Sequence, residues 1–223
     1  MPNTRSRAHP GAQNFVPETG GLGRMAEAVR DCRGCDLYRD STQAVFGQGP
    51  ARARVLLIGE QPGDQEDRAG RPFIGPAGAV LRRALDEAGL SADAVYLTNA
   101  VKHFRWRRAE GGGKRRIHQR PDAGQVAACR PWWLAEVRLV RPEVLVALGA
   151  TAGQALFGSS FRVGAARGTV LDWPVPDDGD AGGTIPTVAT VHPSAVLRAP
   201  DRDEAYTGFA ADLGKVAELL TRG

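Results

Sequence analysis

Residues 54–63 read Arg-Val-Leu-Leu-Ile-Gly-Glu-Gln-Pro-Gly, and this short segment sets the expected fold class. Its apolar run, Val55 to Ile58, is continuous rather than alternating and ends at Gly59. Such a run is typical of a strand that is buried on both faces, as the strands of a parallel sheet are. The next residues, Gly59-Glu-Gln-Pro-Gly63, predict a tight turn at the carboxyl end of this strand.

Apolar runs of the same kind recur along the chain and alternate with segments of helical periodicity. This alternation predicts a parallel sheet with helices on both faces. We therefore expect an α/β fold, a single three-layer α/β/α domain with a central, mainly parallel four-stranded sheet. An extra short strand near 169–173 stays open. The further strands are expected at 94–98, 144–148 and 187–191, and the helices at 77–88, 122–140, 151–157 and 205–220, after a short helical stretch from Leu22.

The length of 223 residues and a hydrophobic content of 42% suit one soluble domain with a real core. Residues 1–20 lack periodicity and predict a disordered N-terminal arm, followed by the domain over 21–223. No segment approaches 18 apolar residues, and the polar start has no signal-peptide character. We expect a monomer that acts in the cytoplasm and does not bind membranes.

The net charge of +4 is unevenly distributed along the chain. Residues 102–120 carry eight basic side chains against one acidic side chain, a local charge of +7 that leaves the rest of the chain at −3. This pattern favours a local anion-binding surface, with a solvated loop as the alternative.

The three cysteines cannot form a closed disulfide framework. In a cytoplasmic chain, the spacing Cys32-x-x-Cys35 favours a metal or redox site.

Polar side chains follow three of the expected strands at their carboxyl ends, where α/β sheets place their ligand sites. Glu60 and Gln61 follow the first strand, Asn99 ends the second, and His192 follows the last. Taken singly, each has an ordinary alternative, such as a structural turn, a capping amide or a core histidine. Phe73, in the Gly/Pro loop 70–78, can stack on a flat ligand or simply anchor the loop. Together these residues favour a catalytic pocket.

Five motifs in order resemble those of the iron–sulfur uracil-DNA glycosylases, family 4 and its relatives, over about residues 25–220. Within that superfamily, Gln61 and the segment Lys114-Arg-Arg-Ile-His118 are similar to the UdgX subgroup, whose members attach covalently to deoxyribose after uracil is removed. The five motifs are Gly59-Glu-Gln-Pro-Gly63, the loop Gly70–Gly78, Thr98-Asn-Ala-Val-Lys102, Ala128-Cys-Arg-Pro-Trp132 and His192-Pro-Ser194.

The resemblance implies an enzyme that excises uracil from DNA, including single-stranded DNA, after flipping the base from the stack. Gln61, Phe73, Asn99 and His192 would bind uracil, and His192 would stabilise the charge that grows on O2. His118 would capture C1′ of the sugar, oriented by Glu60. Two alternatives remain: a turnover glycosylase with water as nucleophile, and a non-catalytic DNA-binding sensor of the same fold.

The resemblance also implies the residues that contact DNA. Phosphate contacts fall to basic side chains of 102–120, and a wedge into the duplex falls to the segment after His192. The implied DNA-binding residues are Lys102, Lys114, Arg115, Arg116, Ser194, Leu197 and Arg198.

A [4Fe–4S] cluster is the implied cofactor, because relatives hold one with four cysteines. Cys32, Cys35 and Cys129 match three of those positions, whereas the fourth holds His103. Imidazole does ligate iron–sulfur irons, so a set of three cysteines and one histidine is chemically reasonable. Zinc is the alternative, because three cysteines and one histidine also form a tetrahedral zinc site.

Overall fold

A computed structural model describes residues 9–109, 111, 115–176 and 183–221. Its helices are α1 (Leu22–Ala28), α2 (Asp64–Ala69), α3 (Pro76–Glu87), α4 (Ala123–Val140), α5 (Ala150–Phe157), α6 (Val163–Ala166), α7 (Pro193–Arg198) and α8 (Arg202–Thr221). Its strands are β1 (Val55–Gly59), β2 (Val95–Asn99), β3 (Trp106–Arg108), β4 (Arg116–His118), β5 (Val144–Leu148), β6 (Val170–Pro174) and β7 (Thr184–Thr190). Within those residues, no helix has the length and apolar character needed to cross a bilayer.

The central sheet has the order β2-β1-β5-β7-β6, and its first four strands are parallel. Every residue of β1 and β5 is buried, as their continuous apolar runs predict. One hydrophobic cluster packs α3, α7 and α8 against one face of the sheet, and a second packs α4 and α5 against the other. The expected three-layer α/β/α architecture is confirmed.

The sheet has five strands rather than four, because β6 pairs with β7 in the antiparallel direction. This edge strand is mostly exposed, and only Trp173 within it is buried. A strand with so little buried surface carries no continuous apolar run, so its sequence signal is weak.

The parallel register brings the strand ends together at one edge of the sheet. Gly59 pairs with Asn99, and the amide of Gly149, the residue after β5, donates to Thr190 O at 2.9 Å. The turn after β1, the end of β2 and the segments after β5 and β7 therefore meet at this edge.

The basic segment contains an antiparallel hairpin of β3 and β4, which sequence analysis did not predict. In its register Trp106 faces His118. The hairpin fixes the position of His118 more tightly than a solvated loop would.

Residues 9–20 belong to the predicted disordered arm, but the structure shows them packed against the domain. Residues 1–8 lie outside the described residues. The amide of Gly11 donates to Gly34 O, and that of Ala12 donates to Ala128 O at 2.8 Å. Ala12 is buried against the cluster that contains the three cysteines. These tertiary contacts order the segment, although its sequence has no periodicity.

Candidate active site

A cavity of about 550 Å³ opens at the carboxyl edge of the sheet. Its lining comes from the turn after β1, the end of β2, the β3–β4 hairpin and α7, so residues far apart in sequence lie around one cavity. The lining residues are Glu60, Gln61, Gly63, Glu66, Phe73, Ala77, Asn99, His118, Arg120, His192, Ser194 and Arg198.

Asn99 presents a buried amide to this cavity. Its side-chain Oδ1 has no hydrogen-bond partner among the described residues. A Cβ on Gly59 would lie 2.4 Å from that oxygen and 2.6 Å from Phe73 Cζ, so only glycine leaves room here. A buried acceptor without a partner costs free energy unless a ligand supplies a donor.

The loop that carries Phe73 is held by backbone geometry and two polar side chains. Phe73 adopts φ 54°, in the left-handed region, and Arg82 donates to its carbonyl at 2.7 Å. A Cβ on Gly78 would lie 1.7 Å from the same carbonyl oxygen, so the turn requires glycine there. Glu66 accepts from the amides of Gly63 and Gly75, at 3.1 and 2.7 Å, and joins this loop to the turn after β1.

His192 lies beside Phe73, with the two rings stacked at a centroid distance of 6.3 Å. The amide of Ser194 donates to His192 Nδ1 at 3.2 Å, so a neutral ring carries its proton on Nε2. Burial lowers the pKa of His192 to about 4, and the neighbouring His118 and Arg198 add to this shift. At neutral pH, His192 is therefore an uncharged hydrogen-bond donor.

His118 ends β4, and its Nε2 lies 3.3 Å from Glu60 Oε1. Its side chain is 49% exposed, so the ring stands at the mouth of the cavity. Burial lowers the pKa of His118, Glu60 opposes this shift, and Arg198 reinforces it. A neutral imidazole, which keeps a nitrogen lone pair, is thus favoured at neutral pH.

Two residues that sequence analysis did not assign to the site hold the other carboxylate oxygen of Glu60. The Thr151 hydroxyl donates to Glu60 Oε2, and Arg120 Nε donates to Thr151 Oγ1 at 3.0 Å. Arg120 Nε also lies 3.9 Å from Glu60 Oε2. Thr151 follows the end of β5, so applying the strand-end rule to this strand as well would have found it.

Gln61 lines the cavity, but its side chain does not have the uracil-reading geometry that sequence analysis expected. Its Nε2 donates to Arg105 O and Gln119 O, at 3.2 and 3.0 Å, and its Oε1 accepts from the Arg105 amide at 2.9 Å. The Gln61 amide group therefore bridges the backbone at the two ends of the hairpin, where the Gln119 amide also donates to Arg105 O at 2.9 Å.

Lys102 is fully buried and cannot contact DNA, which corrects the expectation from the basic segment. Its ammonium group donates to Glu136 Oε2 and Thr98 Oγ1, both at 2.6 Å, and to Asn99 O at 3.0 Å. Glu136 is also fully buried and also accepts from the amide of Gly47. The pair fixes the chain next to Asn99, because a buried charge needs a close partner.

The other basic residues of the segment fall into two groups. Arg116 is only 10% exposed and pairs with Asp64 and Asp67, so it anchors the hairpin to α2 instead of facing DNA as expected. Arg115 is exposed, whereas Lys114 lies outside the described residues. After β7, Arg198 is exposed and donates to Ser194 Oγ at 3.1 Å, and Leu197 is half-buried on α7.

The three cysteines are free thiols in one buried cluster beneath α1 and α4. Trp132 Nε1 donates to Cys32 Sγ at 3.1 Å, and the amide of Lys102 donates to Cys129 Sγ at 3.3 Å. Burial raises the pKa of Cys35 to about 11 and raises that of Cys129 further. Buried sulfurs that accept N–H donors are the donor set that an iron–sulfur cluster uses.

His103 is buried beside Asp67, and burial lowers its pKa to about 4, so the ring is neutral and able to ligate a metal. In the described part of the chain, no three His, Cys, Asp or Glu side chains are close enough to hold a single metal ion.

Comparison with known proteins identifies similar chains. The family model of the uracil DNA glycosylase superfamily matches residues 46–214. A type-4 uracil-DNA glycosylase of Thermotoga maritima is 34% identical over 175 residues, which are 78% of this chain and 82% of the relative. That of Saccharolobus solfataricus is 32% identical over 90% of this chain and 87% of its own. The type-4 uracil-DNA glycosylase of Archaeoglobus fulgidus is 30% identical over 89% of this chain and 92% of the relative.

Proposed function

The chain belongs to the uracil DNA glycosylase superfamily, and we propose that it excises uracil from DNA and then bonds covalently to the abasic sugar through His118. The observation that carries the first part is the buried, unpartnered Oδ1 of Asn99 in a cavity that also holds Phe73 and His192. The observation that carries the second is the neutral His118 within 3.3 Å of Glu60.

Uracil recognition follows from the donors and acceptors in the cavity. Asn99 Oδ1 accepts from uracil N3–H, and Asn99 Nδ2 donates to O4, whereas cytosine presents a lone pair at N3 and an amine at C4. The Phe73 ring provides a face for stacking on the flipped base.

Cleavage of the glycosidic bond leaves its electron pair on uracil, and the negative charge is shared with O2. Nε2–H of His192 donates to that oxygen, with Nδ1 held by the Ser194 amide. A positioned donor of this kind contributes about 3 kcal/mol to the transition state. The low pKa of His192 keeps it a neutral donor instead of a competing acid.

The sugar left at C1′ is an electrophile, and the lone pair of the neutral His118 ring forms the new bond to it. The ring proton passes to Glu60, which the Thr151 hydroxyl and Arg120 hold in place on its other oxygen. The product is an N-glycosidic bond between the imidazole and deoxyribose. Because the ring occupies the place at C1′ that hydrolysis would use, the reaction stops after one event.

Contacts to the rest of the DNA are proposed for exposed cations around the cavity mouth. Arg115, Arg198 and the hydroxyl of Ser194 would bind phosphates, and Leu197 would insert as a wedge into the stack at the position that the flipped base leaves. Lys114, in the same segment, would add to these contacts. Such binding weakens with salt because bound counterions are released.

One gel experiment tests the proposed function. The protein is incubated with a uracil-containing single-stranded oligonucleotide and run under denaturing conditions after heating. We expect a protein–DNA band that survives heat and denaturant. Free abasic DNA would instead indicate turnover with water as nucleophile, and unchanged DNA would indicate a protein that only binds.

Replacing Thr151 by valine should slow adduct formation about tenfold or more, because a hydrogen bond to a charged group is worth about 1.5–3 kcal/mol. Without the hydroxyl, the Glu60 carboxylate is no longer fixed at its second oxygen, so it orients His118 less well for attack on C1′. The measurement is the single-turnover rate of adduct formation. Thr151→Ser keeps the hydroxyl and should retain most of the rate, and equal rates for the two variants would contradict this role of Thr151.

We also propose a [4Fe–4S] cluster held by Cys32, Cys35, Cys129 and His103, with the structural task of joining the N-terminal segment to the sheet. Protein purified without oxygen should be brown and contain iron and sulfide. His103→Ala should lower the iron content, because one ligand is lost. Colourless protein with one zinc ion per chain would contradict the cluster.

His9→Ala is the matched variant, because the buried Nε2 of His9 lacks a hydrogen-bond partner among the described residues and Nδ1 lies 3.9 Å from Asp36, next to Cys35. We expect this variant to keep its iron. Loss of iron in His9→Ala but not in His103→Ala would make His9 the fourth ligand.

A further inference from the structure

A second cavity, of about 490 Å³, lies between the N-terminal half of α4 and helix α5. We propose that it is a nucleobase subsite that receives the nucleotide adjacent to the flipped uracil on the same DNA strand. This inference rests on the proposed uracil excision and extends it to a neighbouring base. The volume falls within the range of small-molecule sites, about 300–1,000 Å³.

The walls of this subsite are apolar, which suits the faces of a nucleobase. Val126, Ala127 and Ala155 supply aliphatic surface, and Ala127 is exposed on α4. Trp133 also borders the cavity, although its side chain is fully buried. Apolar and aromatic surface of this kind holds bases without regard to sequence, because every base has a π face.

One polar group in the walls lacks a partner. The indole Nε1 of Trp133 is buried and has no hydrogen-bond acceptor among the described residues. An orphaned buried donor of this kind calls for an acceptor from water or a ligand. Ring carbonyl oxygens and ring nitrogens of nucleobases are such acceptors.

The rim of the subsite is cationic, which suits the phosphates on either side of a bound base. Arg130 lies over the Trp133 ring at 5.7 Å, and in the described part of the chain no carboxylate pairs with it. Arg120 donates to Thr151 Oγ1 and Gln154 Oε1, and although Glu60 Oε2 lies 3.9 Å from its Nε, its side chain is 56% exposed and borders the cavity. A groove with cationic edges and apolar walls is the arrangement that tracks a single nucleic-acid strand.

The subsite adjoins the uracil cavity. This position favours a neighbouring nucleotide over an unrelated small molecule as its ligand. Arg120 lines both cavities, and Thr151 lines the second while donating to Glu60 in the first. A strand that leaves the uracil cavity past Arg120 therefore passes the mouth of the second cavity.

The test uses single-stranded oligonucleotides in which a baseless spacer replaces the nucleotide on the 5′ or on the 3′ side of uracil. The measurement is the protein concentration that gives half the maximal single-turnover rate of uracil excision. With the unchanged protein, a spacer on one side should raise this concentration about tenfold, which is within the range of base stacking. A spacer on the other side should have little effect. Equal responses on both sides, or none, would overturn the proposal.

Ala127→Phe fills the subsite from an exposed position on α4. It should raise the half-maximal concentration for the all-base oligonucleotide about tenfold and remove the response to the spacer. Ala211→Phe, at an exposed alanine of α8 outside both cavities, is the matched control and should behave like the unchanged protein. A spacer response that persists in Ala127→Phe would also overturn the proposal.

Trp133→Phe removes the indole N–H while keeping an aromatic ring. It should raise the half-maximal concentration about threefold with the all-base oligonucleotide and not with the spacer that empties the subsite. An equal change with both would contradict the hydrogen bond. The all-base oligonucleotide also separates the two proposals: no excision of uracil from it would refute the proposed function, whereas excision without any spacer response refutes only the subsite.

Discussion

His118→Ser is expected to abolish the covalent adduct while uracil excision continues. The electron pair of the glycosidic bond leaves on uracil whether or not His118 is present, because Asn99 and His192 act on the base. A side chain held beside C1′ has a large proximity advantage over water, up to the effective molarities of intramolecular reactions. Serine removes the imidazole and opens space for water, so the variant should release abasic DNA and turn over many times.

Two measurements are made. A denaturing gel detects the adduct, and quantification of released uracil shows whether each protein molecule reacts more than once. Arg108→Ser, an exposed position in the same hairpin, is the matched control and should still form adduct. A heat-stable adduct in His118→Ser would mean that another residue is the nucleophile.

The same role predicts how adduct formation responds to acid. A protonated imidazole has no lone pair, so the rate requires neutral His118, whose pKa is lowered mainly by burial. The midpoint of the fall in rate on acidification should therefore lie below the ordinary histidine value of 6.5. A midpoint at or above pH 6.5 would contradict the neutral nucleophile.

Asn99→Ala is expected to lower uracil excision by at least about a hundredfold, and adduct formation with it. The substitution removes both the acceptor for N3–H and the donor for O4, and loss of a single positioned donor already costs about 10²–10³ in rate. A pocket built to pair with polar edges also loses its discrimination against other bases. The measurement is the single-turnover excision rate for uracil and for cytosine.

Thr190→Val provides the matched control for Asn99. It removes a buried hydrogen bond, from Thr190 Oγ1 to Asp212 at 2.7 Å, at the end of β7 but outside the cavity. This variant should lose some stability and keep the excision rate. Full activity in a folded Asn99→Ala would show that uracil is read by other groups.

Much of the fold was predictable because the signals are local. The runs at Val55–Ile58 and 144–148 predict buried parallel strands, and the structure has them as β1 and β5. The helix predicted from Asp122 onward is present as α4, and Asp122 caps it by accepting from the Gln125 amide at 3.0 Å. The edge strand β6 was only an open possibility, since an exposed strand has no continuous apolar run.

The candidate site was partly predictable for the same reason. Glu60, Asn99 and His192 follow strand ends, and the carboxyl ends of parallel strands meet at one edge. Thr151 obeys the same rule but was not singled out. Its role depends on a hydrogen bond to Glu60, 91 residues earlier in the chain.

The sequence by itself determined the α/β class, the edge of the sheet that carries the site and the residue types that meet there. Those features depend on periodicity and strand ends, which are properties of short segments. Only the tertiary structure decided how the polar side chains pair. Lys102 is buried against Glu136, Arg116 is paired with Asp64 and Asp67, and the Gln61 amide holds the hairpin that presents His118. A count of charges predicts a cationic surface, but the partners that neutralise a cation lie 34 to 52 residues away, and only folding brings them within hydrogen-bond distance.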